Sequence, residues 1–220
     1  MKKIEKLAKL VKNKLESAPG CHDWDHTERV LRNSRIIMAR MQLTYNHQKF
    51  NSLVVKCAVI LHDVARPEEL DSNGKLCHAS MGAKLAPEML RECGFTDPKF
   101  AAEVAKCIKC HRFRSNDFET PTTIEQKILY DADKIDSLGA IGVARALHFS
   151  GRIGSRIHNS EAEALASDSY AEGDSAYREY LVKLRYIPSK MLTGAGRNLA
   201  AERADFTHKF FEQLNKECAI

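Results

Sequence analysis

Three short stretches of this chain hold residues suited to binding a divalent cation. His26 stands in CHDWDHTERV, and His62 and Asp63 adjoin in VILHDVARPEE. Asp133 stands in LYDADKIDSLGA, beside Asp131 and Asp136. Each lies in an apolar, helix-like context. An Asp next to an imidazole at the end of LVVKCAVIL is costly to bury unpaired, and a cation would compensate both groups. Neighbouring helix residues diverge by about 100°, so one ion meets His62 and Asp63 only from the ridge between them. Mixed imidazole and carboxylate ligands suit Mn, Fe, Co, Ni or Zn, and Mg less well. The chemistry to expect is metal-assisted hydrolysis of an anionic phosphate compound. A lone His-Asp pair would say little; the ordered set carries the reading.

Helices must position these residues. Apolar periodicity predicts helices over residues 3–16, 23–43, 48–64, 79–93, 98–111 and 122–138. Asp23 is the expected N-cap of the second. Gly94 should terminate the fourth, and Asp97-Pro98 should open the fifth. Thr122 to Glu125 reads as a capping box for the sixth. Pro19-Gly20 and Asn73-Gly74 mark breaks, and residues 68–75 and 113–121 read as polar loops. A short helix reaches His148. Residues 150–175, rich in Gly, Ser, Ala and charge, read as a long excursion of the kind used as a lid. Helices over 176–187 and 195–216 complete the chain. The expected fold is all-α, a single-domain helical bundle spanning residues 1–220. Its metal-site core covers about 20–150, and its C-terminal helices and possible lid cover about 150–216.

Composition narrows the setting. A chain of 220 residues can bury a sizeable core without disulfides. Its seven cysteines follow no framework spacing, which fits a reduced, cytoplasmic compartment. No stretch approaches the roughly 18 apolar residues of a membrane span. A net charge of +5 suits an anionic small molecule and gives little support to nucleic-acid binding. Cys107-Ile108-Lys109-Cys110-His111 spells a haem-attachment pattern, but without an export signal the two cysteines read as small buried hydrophobes.

The order HDWDHTERV, LHDVARPEE, DADKIDSLGAIGVAR resembles the HD-domain superfamily of metal-dependent phosphohydrolases, in particular its small bacterial members that act on nucleotides. The resemblance covers residues 20–150 closely and YLVKLRYIPSKMLTGAGRNLAAERADF more loosely. It implies His26, His62, Asp63 and Asp133 as metal ligands, with Asp133 selected because it precedes the Lys of DADK. Asp131 and Asp136 are then candidates to orient ligand histidines. It further implies one divalent metal, Mn²⁺ favoured over Fe, Ni, Co, Zn or Mg, and attack of metal-bound water on phosphorus. Asp63, Glu69 and Lys134 are the catalytic candidates. Glu68 is a weaker candidate beside Glu69, and His22 and Asp23 are candidates to shape the entrance. His78 and His111 are candidates for a second metal or for phosphate contact. Arg29, Arg66, Arg112, Arg114 and Lys183 are the substrate-binding candidates, with Arg152, Arg156 and Lys190 as further cations.

Two other readings compete with a nucleotide pyrophosphohydrolase or nucleotidase. One is a di-iron oxygenase on the same fold, which requires His78 and His111 as ligands. The other is a non-catalytic nucleotide-binding regulatory protein. The exact substrate and bond broken, phosphate against pyrophosphate release, one metal or two, the physiological metal and the oligomeric state are left open by the sequence.

Overall fold

The computed structural model describes residues 2–16, 23–44, 49–72, 75–112 and 120–218. His22, Arg114 and the turns at Pro19-Gly20 and Asn73-Gly74 lie outside these. The described residues are helical, turn or irregular, with no strand among them, so the all-α reading holds. The chain divides into two compact units, residues 1–133 and 134–220.

The first unit is built on α3 (Ser52–Leu61), in which Val54, Val55, Cys57, Ala58, Val59, Ile60 and Leu61 are all buried. Each large aliphatic side chain there contributes roughly 1.5–3 kcal/mol by leaving water. Around it pack α1 (Lys2–Leu15), α2 (Trp24–Thr44) and α6 (Pro98–Lys109). Helix α1 buries Leu7, Val11 and Leu15, a strict four-residue stripe, and leaves five of its six lysines exposed. Helix α5 (His78–Glu92) lies along α6, and the short α4 (Arg66–Asp71) rests on α5. Helix α7 (Ile124–Ile135) carries Asp133 near its end.

Local signals set most of the boundaries. Asp23 accepts from His26 N–H at 3.1 Å, and Asp97 accepts from Lys99 N–H at 2.9 Å, so both act as N-caps. Gly94 takes φ +87° after α5, while Gly94 N–H donates to Arg91 O and Phe95 N–H to Leu90 O. This is the Schellman arrangement that glycine permits. Two expectations need correction. Helix α3 stops at Leu61 rather than residue 64, and residues 62–65 turn into α4, which takes up the first half of the stretch read as a polar loop. The capping box of α7 sits one residue later than expected. Gln126 N–H donates to Thr123 Oγ1 at 3.4 Å, and the Gln126 side chain accepts from Thr122 and Thr123 N–H. Glu125 instead accepts from Asn51 N–H at 2.8 Å, joining the first turn of α7 to the start of α3.

In the second unit, α8 (Gly139–Arg152) packs on α11 (Gly194–Cys218) and on α10 (Ala176–Val182). Two 3₁₀ turns, Leu184–Tyr186 and Pro188–Lys190, replace the end of the helix expected to reach residue 187. The stretch read as one excursion is divided and pinned. Helix α9 (Glu161–Ala166) starts with a capping box between Ser160 and Glu163. Asn159 binds Ser175 Oγ at 2.6 Å and Gly173 O at 2.9 Å, and Arg178 holds Asp174 at 3.0 Å.

Candidate metal centre

The ends of helices place the site. His62 and Asp63 follow the last residue of α3, His26 stands in the first turn of α2, and Asp133 closes α7 within the first unit. His78 opens α5, and His111 follows α6. A buried hydrogen bond of 2.9 Å from Asn33 to Ala132 O ties α2 to α7 beside Asp133.

These six residues form two groups. His26, His62 and Asp133 offer ligand atoms within 4.8 Å of one another, and so do Asp63, His78 and His111. His26 Nε2 lies 3.3 Å from His62 Nε2 and 3.4 Å from Asp133 Oδ1; His62 Nε2 lies 4.0 Å from Asp133 Oδ1. In the other group His78 Nε2 lies 3.2 Å from His111 Nε2 and 3.4 Å from Asp63 Oδ1, and His111 Nε2 lies 3.8 Å from the same oxygen. Asp63 joins the two, because its Oδ2 lies 3.7 Å from His26 Nε2 and 3.8 Å from His62 Nε2.

Proton bookkeeping tests whether a cation fits. His62 Nδ1 contacts Val59 O at 2.7 Å, and His111 Nδ1 contacts Ile108 O at 2.5 Å. A carbonyl oxygen only accepts, so each Nδ1 carries a proton. His78 Nδ1 donates to Glu69 Oε2 at 2.9 Å. Burial pushes the His62 imidazole down to about 4, against the neighbouring Asp63 and Asp133, and burial lowers His78 as well. In their neutral forms both rings then present bare Nε2 lone pairs toward another imidazole nitrogen. Such facing lone pairs repel unless something positive lies among them. Ligands each about 2.1 Å from one ion stand roughly 3–4 Å apart, which is the spacing found. The donor set therefore fits divalent cations in both groups.

Three charged residues back the second group. Burial alone would raise the Glu69 carboxyl, but the His78 hydrogen bond and the Arg66 and Arg112 guanidiniums hold it at about 2. Arg66 Nη1 pairs with Glu69 Oε2, while Arg66 Nε lies 3.6 Å from Asp63 Oδ2. Arg112 Nη1 lies 3.1 Å from Glu69 Oε1 and 3.4 Å from Cys77 Sγ. Burial would favour a neutral Arg66, and Asp63 and Glu69 reverse this and keep it charged.

The remaining candidates are more scattered. Arg29 is half-buried one turn beyond His26. Glu68 turns away to Lys14, 2.6 Å from its Nζ. Asp131 is buried in α7. In the second unit Lys134 is buried, Asp136 pairs with Arg145 at 2.9 Å, Lys183 with Glu179 at 2.5 Å and Arg156 with Glu172 at 2.9 Å. What sequence reasoning missed was the backbone. Val59 O and Ile108 O each lie three residues before a candidate ligand histidine, in the last turn of a helix, where the carbonyl meets that ring's Nδ1.

The HD-domain family, matched over residues 23–138, contains all six of these positions. The chain belongs to the HD-domain family. HD domains bind divalent metals, and both clusters of this one are able to hold them. The uncharacterized protein YpgQ of Bacillus subtilis is 27% identical over 99% of this chain and 94% of its own length. The structure of YpgQ in complex with ADP is similar with a TM-score of 0.71 at 25% identity, over 98% of this HD protein and 95% of that chain. An HD-superfamily hydrolase of Bacillus thuringiensis matches with a TM-score of 0.68 at 26% identity, over 98% and 96% of the two chains. The likeness to HD-superfamily hydrolases thus spans nearly the whole chain. No described helix is long and apolar enough to cross a membrane.

Proposed function

We propose that this HD domain is a metal-dependent phosphohydrolase acting on a nucleotide, with two divalent cations sharing Asp63. The supporting observation is the pair of ligand triads on either side of that one carboxylate. The sequence left one metal or two open; this reading takes two and assigns His78 and His111 to the second cation. Mn²⁺ is kept as the favoured metal among the Mn, Fe, Co, Ni and Zn that mixed imidazole and carboxylate ligands suit. A bound cation supplies Lewis acidity and an activated water for attack on phosphorus.

The chain's own residues do the rest. The rings of His62, His78 and His111 are fixed by Nδ1 donation, so their Nε2 atoms need little rearrangement. Arg66 and Arg112, both partly exposed beside the second triad, present guanidiniums whose forked donors match phosphoryl oxygens. Asp63 presents one oxygen to each triad. Glu69, held ionised, supports this layer rather than donating a proton. Lys134 and Arg29 continue as candidates for transition-state charge stabilisation. The complex of YpgQ with ADP supports a nucleotide as the ligand class.

The test is hydrolysis by metal-stripped protein supplied with Mn, Mg, Ni, Co, Zn or Fe and a panel of nucleotides and phosphate esters. Phosphate and pyrophosphate are detected separately. Mn-dependent release of either supports the reading and says which bond breaks. Six assembled ligands are also what a di-iron oxygenase requires. Iron in the isolated protein, oxygen uptake and no phosphate release with any metal would favour that second reading.

A further inference from the structure

Glu69 touches three groups at once. Its Oε2 accepts from His78 Nδ1 at 2.9 Å and pairs with Arg66 Nη1, and its Oε1 lies 3.1 Å from Arg112 Nη1. It is 5% exposed, so the carboxylate is committed to these neighbours rather than to solvent. Arg112 also reaches Cys77 Sγ at 3.4 Å and so brackets His78 from the residue before it. His78 stands at the first position of α5, where Cys77 supplies no side-chain cap, so helix geometry alone does not fix its ring.

We infer that Glu69 is a positioning residue: it selects the His78 tautomer that turns Nε2 toward Asp63 and His111, and Arg66 and Arg112 hold the carboxylate where it can do so. This rests on the two-cation reading above. A neutral imidazole has one proton for two nitrogens. A carboxylate on Nδ1 draws it there and leaves Nε2 as a ligand; without that carboxylate the proton can occupy Nε2 and block the cation. The arginines matter because a carboxylate anchored by two guanidiniums has little freedom to swing away from the ring. The first triad makes no such demand on Glu69, since His62 is fixed by Val59 O.

The experiment counts ions. Metal-stripped wild type, Glu69→Ala and Glu69→Gln are titrated with Mn²⁺ alone. Bound metal is measured after equilibrium dialysis, coupling between paired ions by electron paramagnetic resonance, and folding by circular dichroism. Wild type should bind two ions. Glu69→Ala should keep the first and lose about ten- to a hundredfold in affinity for the second. Glu69→Gln, whose amide oxygen can still accept from His78 Nδ1, should recover most of that loss. A second ion bound by Glu69→Ala as tightly as by wild type overturns the inference, as does an equal loss in both variants. Loss of both ions in a folded Glu69→Ala also overturns it, because the role would then not be specific to His78. A wild type that binds one ion, unchanged by His111→Ala, removes the two-cation reading itself. That result is distinct from two ions in every variant.

Discussion

His78 Nε2 and His111 Nε2 face each other at 3.2 Å while each ring directs Nδ1 to an acceptor, Glu69 for one and Ile108 O for the other. Two neutral imidazoles in this posture have no proton to share between them. The contact is the one that two ligands of the proposed second cation would make.

Removing metal should therefore weaken the fold. At a Mn²⁺ concentration a hundred times its dissociation constant, one bound ion stabilises the native state by about 2.7 kcal/mol. Thermal melting with and without chelator should differ by several degrees. Asp63→Ala, which takes a ligand from both triads, should abolish most of that difference. An identical melting temperature in both conditions would count against cation binding.

Loss of a ligand should separate chemistry from folding. His62→Ala or Asp133→Ala should eliminate metal-dependent turnover while far-ultraviolet circular dichroism stays helical. Full turnover in either variant would sink the site assignment.

The arginines should act on substrate. Hydrogen bonds to charged groups contribute about 1.5–3 kcal/mol, so Arg112→Ala should cost roughly ten- to a hundredfold in kcat/KM. Arg112→Lys should recover little, since an ammonium lacks the planar fork. Unchanged steady-state kinetics in Arg112→Ala would remove it from the substrate site.

Gly142 should not tolerate a side chain. A Cβ there would stand 2.2 Å from Ser137 O, a backbone atom that cannot rotate away. Gly142→Ala should cost about 1–3 kcal/mol, lowering Tm by roughly 3–10 °C. A wild-type Tm would show that the turn before α8 can shift at no cost.

Thiol reactivity should follow burial. Burial pushes Cys57 up to about 12 and raises Cys107 strongly, whereas Cys218 is exposed. Iodoacetamide adducts mapped by mass spectrometry should appear on Cys218 in native protein, and on Cys57 and Cys107 only after denaturation. Early labelling of Cys57 would mean that α3 opens readily.

Much of this was legible in the sequence, for identifiable reasons. Helix termini marked by Asp23, Asp97 and Gly94 were readable because caps act within one turn of chain. The stripe Leu7, Val11, Leu15 was readable because helical period is local too. The end of α3 was not: the apolar run continues through Val64 and Ala65, and periodicity cannot separate a buried turn from a buried helix. The true capping box of α7 was ambiguous between Thr122 and Thr123, since each precedes a Glu or Gln by three residues. At the site, residue types suggested candidate ligands, and the structure brings those side chains together. How Asp63 divides its two oxygens depends on where four helices end in space, and no spacing rule reports that.

The span of the ligand set has a consequence for timing. His26 and Asp133 reach one centre from opposite ends of the first unit, and the backbone ties at Asn33–Ala132 and Asn51–Glu125 form only once α7 has arrived. Half of the chain must be in place before the first triad exists. Metal uptake should therefore come late in folding, as a seal on a finished unit rather than a nucleus for it.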